Sequence, residues 1–197
     1  MKGLKRKKER RAAIENALEM VNLRDQKNVP VGQFSGGMMR RIGLAQIFVH
    51  PPKVLIVDEP TAGLDPMERV RFRTLLSKLS KDRIVILSTH IVEDVAHSCK
   101  RMALLNDGKI TFSGAPDQLT ETAQGKVWEL TLSENEHAWR DIRSHFKVVS
   151  QAYTVDGIKM RLISETPPHS LAVPVDPILE DAYLYNIHVK KNGSSEC

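Results

Sequence analysis

Val54-Leu55-Ile56-Val57-Asp58-Glu59 decides the fold. Four aliphatic residues in unbroken succession, three of them β-branched, read as a strand buried on both faces. That is the pattern of a parallel sheet and not of a half-exposed antiparallel one. The two carboxylates that end the run would lie at the carboxyl edge of such a sheet, where open α/β folds bind ligands. The pattern recurs in Arg83-Ile84-Val85-Ile86-Leu87-Ser88, which runs on into Thr89-His90. A helix is expected after each strand. One starts near Pro66 and runs to Ser80, burying Val70, Leu75, Leu76 and Leu79; the other runs from Ile91 to about His97. Strand and helix in alternation imply an α/β domain with a parallel sheet.

Toward the N-terminus, residues 4–22 read as a helix with Ile14, Ala17, Leu18 and Val21 on one face. A loop from Arg24 to Phe34 follows. Ser35-Gly36-Gly37 opens a second helix carrying Ile42, Leu44, Ala45, Ile47 and Phe48, and Pro51-Pro52 stops it. Toward the C-terminus, Met102–Leu105 and Lys109–Ser113 read as a hairpin at the sheet's edge, turning through Asn106-Asp107-Gly108. The pattern changes near Gly125. A half-exposed strand, a helix with Ala138, Trp139 and Ile142, two strands flanking Asp156-Gly157, a proline-rich link and a last helix from Ile178 to about Ile187 form a βαββα set. This suggests two domains, 1–124 and 125–197, the second a small α+β subdomain of ferredoxin-like type.

The chain has 197 residues, 41% hydrophobic and 27% charged, which is ordinary for a folded globular protein. Its apolar runs fall far short of the ~18 residues of a membrane span, and no signal peptide is visible. Cys99 and Cys197 form neither a disulfide framework nor a metal spacing, so a cytoplasmic location is expected. The net charge of +5 is local: Lys2, Lys5, Arg6, Lys7, Lys8, Arg10 and Arg11 against Glu9 give +6 within residues 1–11, so the remaining 186 residues sum to −1. Such a run is read as a solvated helix face, and no nucleic-acid partner is expected.

Four local features carry chemistry. Asp58 and Glu59 suit nucleotide hydrolysis, one carboxylate holding a divalent cation and the other polarising water. Ser35-Gly36-Gly37 would offer first-turn amides and the helix dipole to an anion. His90 could bond a phosphate or steady a water. Ala62-Gly63-Leu64-Asp65-Pro66 makes a turn into a helix. Each has an ordinary structural explanation by itself: a solvated strand end, an N-cap, a structural histidine and a plain turn.

Their order and spacing are more specific. Phe34-Ser35-Gly36-Gly37-Met38, then Val54 to Glu59, then Ala62-Gly63-Leu64-Asp65, then His90 resembles the signature, Walker B, D-loop and H-loop of the ATP-binding-cassette (ABC) transporter nucleotide-binding domain. The resemblance covers roughly residues 1–120. The segment Ile178 to Leu184 resembles the accessory C-terminal region of ABC ATPases serving drug or ABC-2-type exporters. It implies an ABC-type P-loop NTPase sheet in part, an ATPase using ATP and Mg²⁺, and a dimer sandwiching the nucleotide. Asp58 would position Mg²⁺ through water, Glu59 would be the catalytic base and His90 the γ-phosphate switch. Ser35, Gly36, Gly37 and Met38 would bind the opposite subunit's ATP, and Asp65 would signal across the dimer. Met38 stands where the family usually has glutamine. The implied partners are a second ABC ATPase subunit and a membrane permease, which would hold the protein at the inner face of the cell membrane. No G-x-x-x-x-G-K-[ST] occurs in the sequence: Gly108-Lys109 precedes Ile110, and Gly125-Lys126 precedes Val127. The resemblance therefore implies an N-terminally truncated ATPase without Walker A and Q-loop, expected to be inactive as an ATPase alone. Its alternative role is that of a non-catalytic partner supplying only the signature half-site.

Overall fold

The computed structural model describes residues 7–49, 52–133 and 138–189. Packing divides the chain into two compact units, Met1–His90 and Ile91–Cys197. The division expected from sequence lies later, at 124/125; the hairpin and the helix after it pack within the second unit.

The first unit contains α1 (Lys7–Met20), α2 (Gly36–Val49), β1 (Val54–Asp58), α3 (Pro66–Leu79) and β2 (Ile84–Ser88). β1 and β2 pair in parallel, from Val54 opposite Ile84 to Asp58 opposite Ser88. That register brings both strand ends, and the residues just beyond them, to one edge. Helical spacing and strand alternation then build the core: Ala17, Val21, Leu44, Phe72, Leu76 and Leu79 close over Leu55, with Val57 and Val85 packed against them. α3 starts where expected because Asp65 accepts a hydrogen bond from the Glu68 amide at 2.9 Å and Pro66 occupies the first turn.

The strands are not buried on both faces as expected. Val54 is 48%, Ile56 71%, Ile84 60% and Ile86 50% exposed. With a two-residue period these four share the face opposite Leu55, and among the described residues the helices of this unit pack on the Leu55 face. Val70, expected inside α3, is likewise exposed.

The second unit holds α4 (Val92–Ser98), β3 (Met102–Asn106), β4 (Lys109–Gly114), α5 (Pro116–Glu121), β5 (Val127–Leu132), α6 (Ala138–His145), β6 (Lys147–Thr154), β7 (Gly157–Ile163), β8 (Val173–Pro174) and α7 (Leu179–Leu184). The β3–β4 hairpin does not join the parallel sheet; among the described residues it forms a two-stranded sheet of its own. β5 to β8 make a sheet ordered β6-β7-β5-β8, with every pairing antiparallel. This is the ferredoxin-like strand order, except that the second helix, α7, follows the last strand. Apolar layers line both faces: Leu130, Leu132, Ile142, Ile158, Met160 and Leu162 form one, and Leu119, Val127, Ile163, Leu179 and Tyr185 belong to the other. Gly157 turns the β6–β7 hairpin with φ +124°, and a Cβ there would collide with the Leu132 carbonyl oxygen. α5 and β8 have no clear sequence signal, being six and two residues long.

Candidate functional site

All the sequence-predicted site residues lie in the first unit. The parallel register puts the Ser88 hydroxyl against Asp58, where it donates to Oδ1. Just beyond β1 the chain turns sharply: Glu59 has φ +44°, a left-handed conformation uncommon for a side chain other than glycine. Its amide donates to the Ser88 carbonyl at 2.9 Å, so the bend is held by β2. The Glu59 Oε1 accepts the His90 amide at 3.0 Å and lies 2.7 Å from the His90 Nδ1. Its other oxygen, Oε2, is buried and has no hydrogen-bond partner. A backbone strained in this way and an unsatisfied buried carboxylate oxygen both cost stability.

Asp58 and Glu59 face a shallow, open cavity of about 430 Å³ that Arg40, Ile56 and Phe72 also line. Among the described residues no group of three or more His, Cys, Asp and Glu side chains could hold a metal ion. Asp58, with only Oδ1 engaged by Ser88, suits instead a cation held mainly by water and phosphate oxygens, which is how Mg²⁺ is usually bound.

Ser35 caps α2: its Oγ accepts the Met38 amide at 3.2 Å and its carbonyl accepts the Met39 amide at 2.9 Å. Met38 packs its side chain against the core. The glycines that follow Ser35 are not demanded by packing. A Cβ at Gly36 would meet nothing within 4 Å, and one at Gly37 only the Ser35 Oγ at 4.0 Å. The opening of α2 is therefore bare backbone facing open space. Asp65 caps α3 and projects from the turn after Glu59. The structure thus brings Asp58, Glu59 and His90 together and places Ser35–Gly37 and Asp65 at separate positions of the same unit. Sequence reasoning missed two participants. Ser88 could have been found from the equal lengths of the two strands, which put it level with Asp58. Arg40, whose guanidinium donates to the Ala62 carbonyl, has no local signal.

A two-stranded parallel sheet, an acid pair at its carboxyl edge and a serine-glycine helix opening define the class as an α/β domain. Comparison with known proteins narrows this. Residues 2–62 match the family described as "ABC transporter". The chain is 32% identical over 136 residues to the uncharacterized ABC transporter ATP-binding protein YxlF of Bacillus subtilis, covering 69% of this chain and 46% of that protein. It is 33% identical over 148 residues to the bacitracin transport ATP-binding protein BcrA of Bacillus licheniformis, covering 74% and 48%. Among solved structures it resembles cbiO1 of Clostridium perfringens, described as part of the ABC transporter complex cbiONQ. The TM-score is 0.54 at 32% identity, over 60% of this chain and 48% of that one. The chain belongs to the ABC transporter ATP-binding protein family, and it spans about half the length of these curated relatives.

Proposed function

We propose that the chain acts as an ATP-binding subunit of an ABC transporter, contributing to ATP hydrolysis in a nucleotide-sandwich dimer coupled to export through a separate membrane permease. The observation that carries this reading is Glu59: strained, tied to His90 through Oε1, and presenting a buried, unpartnered Oε2 beside Asp58. That oxygen is suited to accept a proton from an attacking water, with His90 fixing the carboxylate's direction. Asp58 would hold Mg²⁺ through water, and the cation would supply charge stabilisation to the transferring phosphoryl group. The functional domains on this reading are 1–124, carrying the ATPase residues, and 125–197, an accessory subdomain. Docking on the permease would place the protein at the inner face of the membrane; no helix among the described residues is long and apolar enough to cross it.

A second reading, a partner that supplies only the half-site at the start of α2, is favoured by the bare backbone of Gly36 and Gly37. Nothing in the chain's own packing requires glycine there, whereas a phosphate approaching the first-turn amides does.

One experiment tests both. The chain is paired with a full-length homologue whose own signature serine is substituted, so that the homologue alone is inactive. Rescue of ATPase activity, lost on Ser35→Arg, supports the half-site; a folded heterodimer without rescue refutes it. The chain alone should hydrolyse ATP at background, because the positioning of the phosphates dominates phosphoryl transfer. Turnover by the chain alone that Glu59→Gln abolishes would instead favour the first reading, with Glu59 acting in hydrolysis.

A further inference from the structure

We infer that Arg40 is a positioning residue that locks the opening of α2 to the turn carrying Asp65, so that these two parts of the half-site move as one piece. The inference rests on the half-site reading for its purpose, but its geometry stands separately. Arg40 lies in the second turn of α2, shortly after Ser35-Gly36-Gly37. Its Nη1 donates to the carbonyl of Ala62. The guanidinium also lies close to the next residue of the turn: a Cβ built on Gly63 would sit 3.8 Å from Nη1 and 4.0 Å from Nη2.

The next residue completes the hold. Arg41 Nε lies 3.4 Å from Glu68 Oε2, a charge contact without a hydrogen bond, with both side chains largely buried at 22% and 16% exposure. Glu68 is the residue whose amide the Asp65 carboxylate accepts. Two consecutive arginines of α2 therefore stand on both sides of Asp65, Arg40 bonded to Ala62 and Arg41 in charge contact with Glu68.

The same turn leads back to the carboxylates. The Ala62 amide donates to the Glu59 carbonyl at 3.3 Å, and the Leu64 amide donates to the Thr61 carbonyl at 3.1 Å. Gly63 holds φ +70°, so the turn is a defined conformation and not a slack loop. Arg40 thus stands one peptide away from the backbone of Glu59 and lines the cavity that Asp58 and Glu59 face. An anion drawn to the α2 amides would pull on α2, and Arg40 would pass that displacement to residues 59–65. Arginine suits the task because its rigid fork can donate to a carbonyl while lying against the backbone.

Hydrogen exchange on the full chain, read by mass spectrometry, tests the lock without depending on activity. Arg40→Met keeps the length and apolar stem but removes the donor. The amides of Ala62 and Leu64 should then exchange about tenfold faster, as expected for loss of a charge-assisted bond that restrains a turn. Arg40→Lys should restore protection, since an ammonium still donates to Ala62; a purely space-filling role would give no such rescue. Amides of α1, which belongs to the same unit as Arg40, report that this unit stays folded. Unchanged exchange over residues 59–65 in Arg40→Met, or Arg40→Lys as fast as Arg40→Met, overturns the inference. Failure of the half-site reading shows elsewhere, as ATPase rescue that is absent or indifferent to Ser35→Arg, and leaves the exchange result standing.

Discussion

Replacing Asp181 with alanine should destabilise the second unit more than any comparable surface change. The carboxylate is fully buried and belongs to the first turn of α7. Arg161 from β7 donates to it through Nε at 3.0 Å to Oδ1 and 3.2 Å to Oδ2, and through Nη2 at 2.7 Å to Oδ2. The Ile178 amide adds a bond of 2.7 Å, so the same group caps α7. Truncation leaves a guanidinium that is only 17% exposed, still held by Glu129 at 3.2 Å and by the Asp176 carbonyl at 2.7 Å. Breaking one side of a buried pair costs about 3–5 kcal/mol, and the surviving Glu129 contact argues for the lower end. Loss of the helix cap adds about 1 kcal/mol. With a urea slope of about 2 kcal/mol/M, the midpoint should fall by roughly 2 M. The assay is urea unfolding followed by the fluorescence of Trp128 and Trp139, which lie in this unit. The double change Arg161→Met with Asp181→Leu should cost less than Asp181→Ala alone, because it leaves no buried charge unpaired. A loss below about 1 kcal/mol for Asp181→Ala, the range of an exposed pair, would refute the reasoning.

Three further outcomes are expected. Ile56→Ser and Ile84→Thr remove apolar groups from the open face of the parallel sheet, so binding of an apolar fluorescent dye and self-association should fall while the unfolding midpoint changes little; a large stability loss would show that the face is covered. Burial, with a smaller contribution from the Asp94 carboxylate, pushes the Cys99 thiol above its ordinary range. Its alkylation at pH 8, followed by peptide mass, should therefore be slower than that of a free cysteine, and faster than that in the chain would contradict this. The hydrogen bond from Lys159, 2.7 Å away, holds Glu129 below the usual carboxylate range. Because the folded value is depressed, this pair stabilises above the unfolded value and is lost as pH falls through the folded one. The stability difference between the native chain and Lys159→Gln should accordingly be present at neutral pH and vanish in acid; a difference that persists below the folded value would be the wrong sign.

The amino-acid sequence by itself determined most of the strands and helices and the family. Those features are written locally: apolar runs in Val54–Val57 and Ile84–Leu87, a cap and proline at Asp65-Pro66, a glycine pair after Ser35, and a turn at Asp156-Gly157. Periodicity and capping act over a few residues, so a linear reading captures them. Only the tertiary structure decided which strand faces are buried. An unbroken apolar run looks the same whether one layer of helices covers it or two, so the exposed row of Val54, Ile56, Ile84 and Ile86 had no signal in the run itself. Short elements such as α5 and β8 also escaped, since six or two residues carry too few repeats to show a period. The same limit governed the site. Asp58, Glu59 and His90 were legible as motif positions, but the bond from His90 to Glu59 joins residues 31 apart and depends on the parallel register of β1 and β2. The holds of Arg40 on Ala62, 22 residues away, and of Arg161 on Asp181, 20 residues away, exist only because folding brings distant side chains within hydrogen-bond reach. Local preference specifies where an element starts and ends; which polar group it meets across the fold is settled by packing, because only packing removes the water that would otherwise satisfy it.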